Sequence, residues 1–138
     1  MLLAQVFPVG LTTAYSRQVT LELIRSFADI VGDHDPIHFD VEFCSRTQYK
    51  RPIAHGALLI GFMSAASTKA TTKSRIPLVS LGFDRIRLVA PVFAGEHTET
   101  VFKVAGHDEA RRRILADITV HAGDRLAAVA TNIIKQID

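Results

Sequence analysis

The chain predicts an α+β domain in which one curved antiparallel sheet wraps a central helix. Three observations carry that expectation. The stretch from His55 to Lys69 (HGALLIGFMSAASTK) is apolar or small through its middle and too long for a single strand. From Pro77 onward, apolar residues alternate with polar ones instead of recurring at helical spacing. Helical patterns come first and strand patterns afterwards, the order of an α+β fold. A chain of 138 residues has room for one core, so residues 1–138 are expected to form one domain without a linker or internal repeat.

Residues Thr12 to Val19 (TTAYSRQV) read as a short strand, rich in residues that suit a pleated, half-buried surface. Thr20 is placed to cap the following helix, and Glu22 sits in its first turn, where the dipole favours an anion. Leu23, Ile24, Phe27, Ala28 and Val31 recur at helical spacing until Gly32 stops the helix. Pro36 disfavours helix at Asp35, which makes Asp33 to His38 a turn. Asp40 caps a second short helix, roughly Val41 to Thr47, and Pro52 separates it from the long apolar one. That long helix is hydrophobic on all sides and is expected to be buried on most of them, with Gly61, Ala65 and Ala66 allowing strands to come close.

Leu78 to Leu88 forms a strand whose apolar face shifts near Asp84, the mark of a bulge. A strand follows Gly95, with Thr98, Thr100, Phe102 and Val104 on one side, and His107 to Ala110 (HDEA) reads as a polar turn. Arg112, Ile114, Ala116, Ile118 and Val120 line one face of the next strand, against Arg111, Arg113, Asp117, Thr119 and His121 on the other, and Ala122 to Asp124 makes a hairpin connection. Leu126, Ala128, Ala130, Asn132 and Ile134 complete the last strand, with alanines small enough to curl over a helix. One helix cannot cover such a sheet, so an edge or face is expected to pair with a second copy as a homodimer.

Composition excludes several classes. A formal charge of +2 is small, and the basic run Arg111 to Arg113 has no interleaved aromatics for stacking bases. Cys44 is alone, so no internal disulfide forms. The N-terminal MLLAQVFPVGLTT has no basic residue ahead of its apolar part, unlike a secretory signal. The longest charge-free stretch, Gly56 to Thr68, has 13 residues, whereas a membrane helix needs about 20. A soluble, cytoplasmic protein is the expectation.

Chemistry concentrates between Gly32 and Gly56, GDHDPIHFDVEFCSRTQYKRPIAHG. Asp33 and His38 flank the Pro36 turn and can converge on one pocket, where a carboxylate orients water and an imidazole passes a proton. Equally, Asp33 can cap a turn while His38 makes a structural hydrogen bond. His34, Asp35, His38 and His55 are metal-ligand types, but Pro36 breaks the helix that the His34/His38 spacing would need, and no metal is expected. Cys44 reads as a buried small residue. Gly56 opens the long helix, whose free N–H groups suit either an oxyanion or plain turn chemistry. Arg85, Arg87 and Arg111 to Arg113 are phosphate candidates or a solvated strand face; His97, His107 and His121 read as surface histidines.

The segment GDHDPIH at Gly32 to His38, with FDVEFC after it and RPIAHG at Arg51 to Gly56, resembles the MaoC-type (R)-specific enoyl-CoA hydratases. The resemblance extends through the apolar helix, LVAPVFAGE at Leu88 to Glu96, and the terminal strands. It implies a hot-dog fold, a curved sheet wrapped around a long helix, commonly dimeric. By position, Asp33 and His38 match the catalytic pair of the family motif D-x-N-P-(L/I)-H. Gly56 matches the glycine whose N–H binds the thioester oxygen, beside His55, and Ser64 matches a serine near the acyl pocket and the carboxylate's surroundings. Asp35 departs from the family's asparagine, placing a second negative charge beside Asp33, and Cys44 replaces a small alanine. The resemblance implies hydration of a trans-2-enoyl thioester to the (R)-3-hydroxyacyl thioester with no metal, flavin or nucleotide cofactor, CoA or acyl carrier protein being part of the substrate. A hot-dog thioesterase and a non-catalytic acyl-thioester-binding module are the competing readings.

Overall fold

In the computed structural model, which describes residues 2–138, a five-stranded sheet in the order β1-β3-β4-β5-β2 curves around one long helix. The strands are β1 (Thr12–Gln18), β2 (Leu78–Leu88), β3 (His97–Asp108), β4 (Arg113–Ala122) and β5 (Arg125–Gln136), and all neighbours pair antiparallel. The helices are α1 (Leu3–Val6), α2 (Leu21–Val31), α3 (Val41–Ser45) and α4 (Gly56–Thr71). Among the described residues, no helix is long and apolar enough to cross a membrane.

The strand alternation resolves as expected: Thr98, Thr100, Phe102 and Val104 of β3 and Ile114, Ala116, Ile118 and Val120 of β4 point inward and are buried. Burying a ring such as Phe102 contributes roughly 1.5–3 kcal/mol. Edge strand β2 carries two irregularities, between Ser80 and Gly82 and between Asp84 and Arg87. The second contains Arg85 at φ 53°, a left-handed conformation uncommon for a non-glycine residue.

The caps also form. Thr20 Oγ1 accepts from Leu23 N–H at 3.0 Å, and Gly32, at φ 84°, closes α2 by donating to Ala28 O. Asp40 Oδ1 accepts from Phe43 N–H at 3.0 Å to start α3.

The long helix is buried on most sides, as expected, and Ala57, Gly61, Ser64 and Thr68 form one exposed stripe. Two expectations need correction. Gly61 meets no strand, while Ala66 does, its carbonyl accepting from Thr13 Oγ1 at 3.1 Å. The HDEA segment is not all turn: β3 runs to Asp108, and His107 donates from Nε2 to Phe7 O at 2.6 Å. That bond ties the sheet to α1, whose Leu3 and neighbouring Phe7 are core residues. The other two histidines sit on the outer face of the sheet, as expected.

Candidate active site

Two short tethers build the site. A bridge pairs Ile53 with Phe93, flanked by Ala54 N–H to Val92 O at 2.7 Å and Ala94 N–H to Pro52 O at 3.1 Å. Residues 52–54 are thereby sewn to the segment after β2, which sets the entry of α4 at His55 and Gly56. On the other side, the αL stop at Gly32 releases the chain into the Asp33–His38 turn. Pro36 begins a single 3-10 turn there (Pro36–His38), and Asp35 Oδ1 accepts from Ile37 N–H at 3.0 Å.

His38 Nδ1 lies 2.8 Å from Ile53 O. A carbonyl only accepts, so Nδ1 carries a proton, and in the neutral ring Nε2 is the basic nitrogen. His55 is buried, and its Nε2 lies 3.0 Å from Asp33 O, which makes it the donor there. The two imidazoles stack at 3.7 Å between centroids, and Phe27 meets His55 edge-on at 5.0 Å. His55 thus grips both members of the pair, Asp33 through its backbone and His38 through its ring. Asp33 itself is exposed, and its Oδ1 accepts from Asp35 N–H at 3.3 Å.

Among the described residues, Asp33, His38 and His55 form a group whose ligand-type atoms all lie within 4.8 Å of one another. These are the residues close enough to share a metal ion or, equally, a water molecule. His34 is outside the group and pairs with Asp29 at 3.0 Å on the surface.

A cavity of about 270 Å³ opens beside this group, lined by His38, Tyr49, Ile53, Gly56, Leu59 and Leu88 among others. Gly56 is the first residue of α4, whose N-cap His55 makes no side-chain cap bond. Leu58 N–H donates to His55 O at 3.1 Å, and the Gly56 and Ala57 N–H groups ahead of it remain available to an oxygen atom. A Cβ on Gly56 would lie 2.2 Å from Leu88 Cδ1, so glycine here makes room for Leu88 at the cavity wall.

The structure thus brings Asp33, His38 and His55 together, with Gly56 next in the chain, and places Ser64 apart from them. His55, expected among the substrate-binding groups, faces Asp33 O and the His38 ring, and its remaining buried nitrogen Nδ1 has no partner. It acts on its neighbours, holding Asp33 O and stacking on the His38 ring. Replacing His55 by Phe keeps an aromatic surface but removes the bond to Asp33 O. The expected result is a 10- to 100-fold fall in kcat with less change in KM, since small misplacements of catalytic groups cost about that much. Steady-state kinetics alongside a melting curve checks it. Ser64 lines a second concavity farther along α4, not the one beside His38, and makes no side-chain hydrogen bond to the Asp33 turn.

Cys44 is fully buried with Sγ 3.1 Å from Ile37 O; burial, then the negative charges of Asp40 and Asp35, push its thiol pKa up. That is a packing residue, not a nucleophile. Arg111 and Arg112 pair with Asp108 and Asp138, at 3.7 and 2.9 Å. Arg85 and Arg87 border a shallow concavity of about 580 Å³ that shares no lining residue with the His38 cavity.

Residues 9–125 match the family model described as MaoC like domain. The chain is 29% identical over 127 residues to a 3-hydroxybutyryl-CoA dehydratase of Methylorubrum extorquens, covering 92% of this chain and 79% of that one. It is 24% identical over 125 residues to a 3-hydroxyacyl-thioester dehydratase Z of Mycobacterium tuberculosis, covering 86% and 83%. Among solved structures, an (R)-hydratase from A. caviae involved in PHA biosynthesis superposes with a TM-score of 0.86 at 24% identity, covering 97% of this chain and all of that one.

Proposed function

The chain belongs to the MaoC-like domain family of hydratases and dehydratases with a hot-dog fold, and from that membership we propose that it adds water reversibly to a trans-2-enoyl thioester, giving the (R)-3-hydroxyacyl thioester. The observation that supports this reading is that the Asp33 carboxylate lies beside His38, while His38 and Gly56 at the start of α4 line one cavity. Asp33 and His38 hold one water between them. Its oxygen adds to the β carbon as the pair removes a proton, and a proton is returned to the α carbon, so each turnover leaves the site in its starting protonation state. Charge develops meanwhile on the thioester oxygen, where the Gly56 N–H and the helix dipole stabilise it; one well-placed donor contributes about 3 kcal/mol. The protein supplies no metal or organic cofactor, and CoA or an acyl carrier arrives as part of the substrate. A cytoplasmic enzyme with a reduced, buried Cys44 fits this role.

Edge strand β2 leaves Val79, Leu81 and Leu88 exposed, at 38%, 49% and 56%. Apolar side chains on an open sheet edge favour pairing with another strand, so two copies pair as a homodimer through β2. Sedimentation at micromolar concentration is expected to give twice the chain mass; a monomer there would contradict the pairing.

Asp35 has a local role that asparagine can fill, because the bond its Oδ1 accepts from Ile37 N–H needs only an amide oxygen. Asp35→Asn removes a negative charge beside Asp33 while keeping the turn. Activity on simple enoyl-CoAs is expected to hold or rise, measured as kcat/KM; a tenfold loss would give Asp35 a function of its own. Hydration is told from hydrolysis by following enoyl absorbance and free thiol in one cuvette with crotonyl-CoA. Loss of the enoyl signal without thiol supports the proposal, and thiol release alone makes the protein a thioesterase.

A further inference from the structure

The cavity beside His38 has a largely apolar wall, to which Ile53, Leu59, Leu88 and Val92 contribute hydrocarbon. Besides His38, one lining residue brings a polar side chain to it, and that residue is Tyr49. Tyr49 lies between α3 and α4, where turn chemistry fixes its place. Thr47 Oγ1 donates to Cys44 O at 2.8 Å and accepts from Tyr49 N–H at 3.2 Å. Lys50 follows at φ 67°, a left-handed conformation uncommon for a non-glycine residue, and its N–H donates to Thr47 O at 3.3 Å. The Tyr49 ring meets Phe93 edge-on at 6.3 Å between centroids. Phe93 is in turn the bridge partner of Ile53. The tyrosine therefore rests on the same tether that sets the entry of α4.

The ring is half-buried and held by packing, yet the hydroxyl makes no hydrogen bond to any of the described residues. Tyrosines packed in this way usually give their hydroxyl a partner. The few polar groups of an apolar pocket are the ones that orient a ligand. His38 is committed elsewhere: Nδ1 donates to Ile53 O, and Nε2 is the basic nitrogen. That leaves two kinds of donor for an oxygen atom in the cavity, the N–H groups opening α4 and the Tyr49 hydroxyl. A phenol is a neutral donor that keeps its proton while a negative charge grows beside it. Such a charge in apolar surroundings gains most from donors already in place.

We propose that Tyr49 is a catalytic residue, its hydroxyl donating to the thioester oxygen alongside the Gly56 N–H. The inference rests on the hydratase reading. As water adds to the β carbon, the electrons of the double bond pass toward the thioester oxygen, and the Tyr49 bond strengthens there. When the α carbon is protonated the charge leaves that oxygen and the bond relaxes. Tyr49 keeps its proton throughout, so the proton balance of the reaction is unchanged.

Tyr49→Phe tests it, because the ring and its packing on Phe93 stay and the hydroxyl alone is lost. With crotonyl-CoA, kcat is expected to fall about 10²-fold. KM should change little, since the bond is made fully only as charge develops. The melting temperature should hold, the hydroxyl having no protein partner. A second readout needs no turnover: acetoacetyl-CoA, whose enolate absorbs in the near ultraviolet, mimics the charged oxygen. The enolate fraction of the bound ligand is expected to be about tenfold lower in Tyr49→Phe. A kcat close to that of the unaltered protein, or an equal enolate fraction, overturns the role of Tyr49 and leaves the hydratase intact. A rise in KM alone places the hydroxyl on the carrier arm of the substrate and overturns it equally. No hydration of crotonyl-CoA by the unaltered protein overturns both.

Discussion

Asp33→Asn and His38→Ala are each expected to lower kcat for enoyl hydration by about 10³-fold or more while the fold survives. Positioned proton transfer contributes about 10²–10⁴-fold, and in the proposed reaction the two residues share one water, so the loss of either removes most of that contribution. The variants separate chemistry from folding because neither side chain belongs to the core. Asp33 is exposed, and its Oδ1 accepts only the long 3.3 Å bond from Asp35 N–H, which an asparagine oxygen can also accept. His38→Ala loses the bond to Ile53 O, a net contribution of about 1 kcal/mol, together with its stack on His55. Melting temperatures within a few degrees of the unaltered protein and rates near the uncatalysed background are the expected pair of results. A rate within a factor of ten of the parent in either variant would remove that residue from the mechanism.

Gly56→Ala is expected to lower kcat/KM by about 10²-fold through Leu88, not through the lost glycine as such. Alanine keeps the N–H and helical geometry, but its Cβ would lie 2.2 Å from Leu88 Cδ1. Leu88 is 56% exposed at the end of an edge strand, so its side chain gives way, and the space beside it is the cavity it lines with His38. The thioester oxygen then loses its place at the helix end. This account has a second arm: Leu88→Ala combined with Gly56→Ala removes the clash and should recover most of the activity. Kinetics of the single and double variants check it. No recovery would mean that Gly56 itself, and not the room it leaves, is what matters.

What could be read from residue order alone follows the range of the forces involved. Helix α2, with Thr20 capping it and Gly32 ending it, depends on neighbours within four residues and was legible with its ends. The Pro36 turn and the inward faces of β3 and β4 are local in the same sense. Helix α1 is four residues long, too short to show a period, and it is held by Leu3, Phe7 and the distant His107. The same bond explains why His107 continues a strand where its composition suggests a turn. In the site, the Asp33–His38 spacing around Pro36 was visible, and the double motif pointed to Gly56. The direction of the His55 ring was not, because it is set by Asp33 O, 22 residues away. Nor was the Ser67–Asn132 bond, which spans 65 residues and turns what looks like an apolar helix into one wall of a polar cavity. The exposed stripe through Gly61 and Ser64 was hidden for a related reason: small residues look alike whether a strand or open space lies beyond them.

In the proposed function this chain handles water at a 3-hydroxyacyl thioester with (R) stereochemistry. Incubating the purified protein separately with (R)- and (S)-3-hydroxybutyryl-CoA and following the appearance of the enoyl product tests it most directly. The Asp33–His38 account predicts dehydration of the (R) thioester alone, with no free CoA released. Dehydration of the (S) thioester, or of neither, would contradict it.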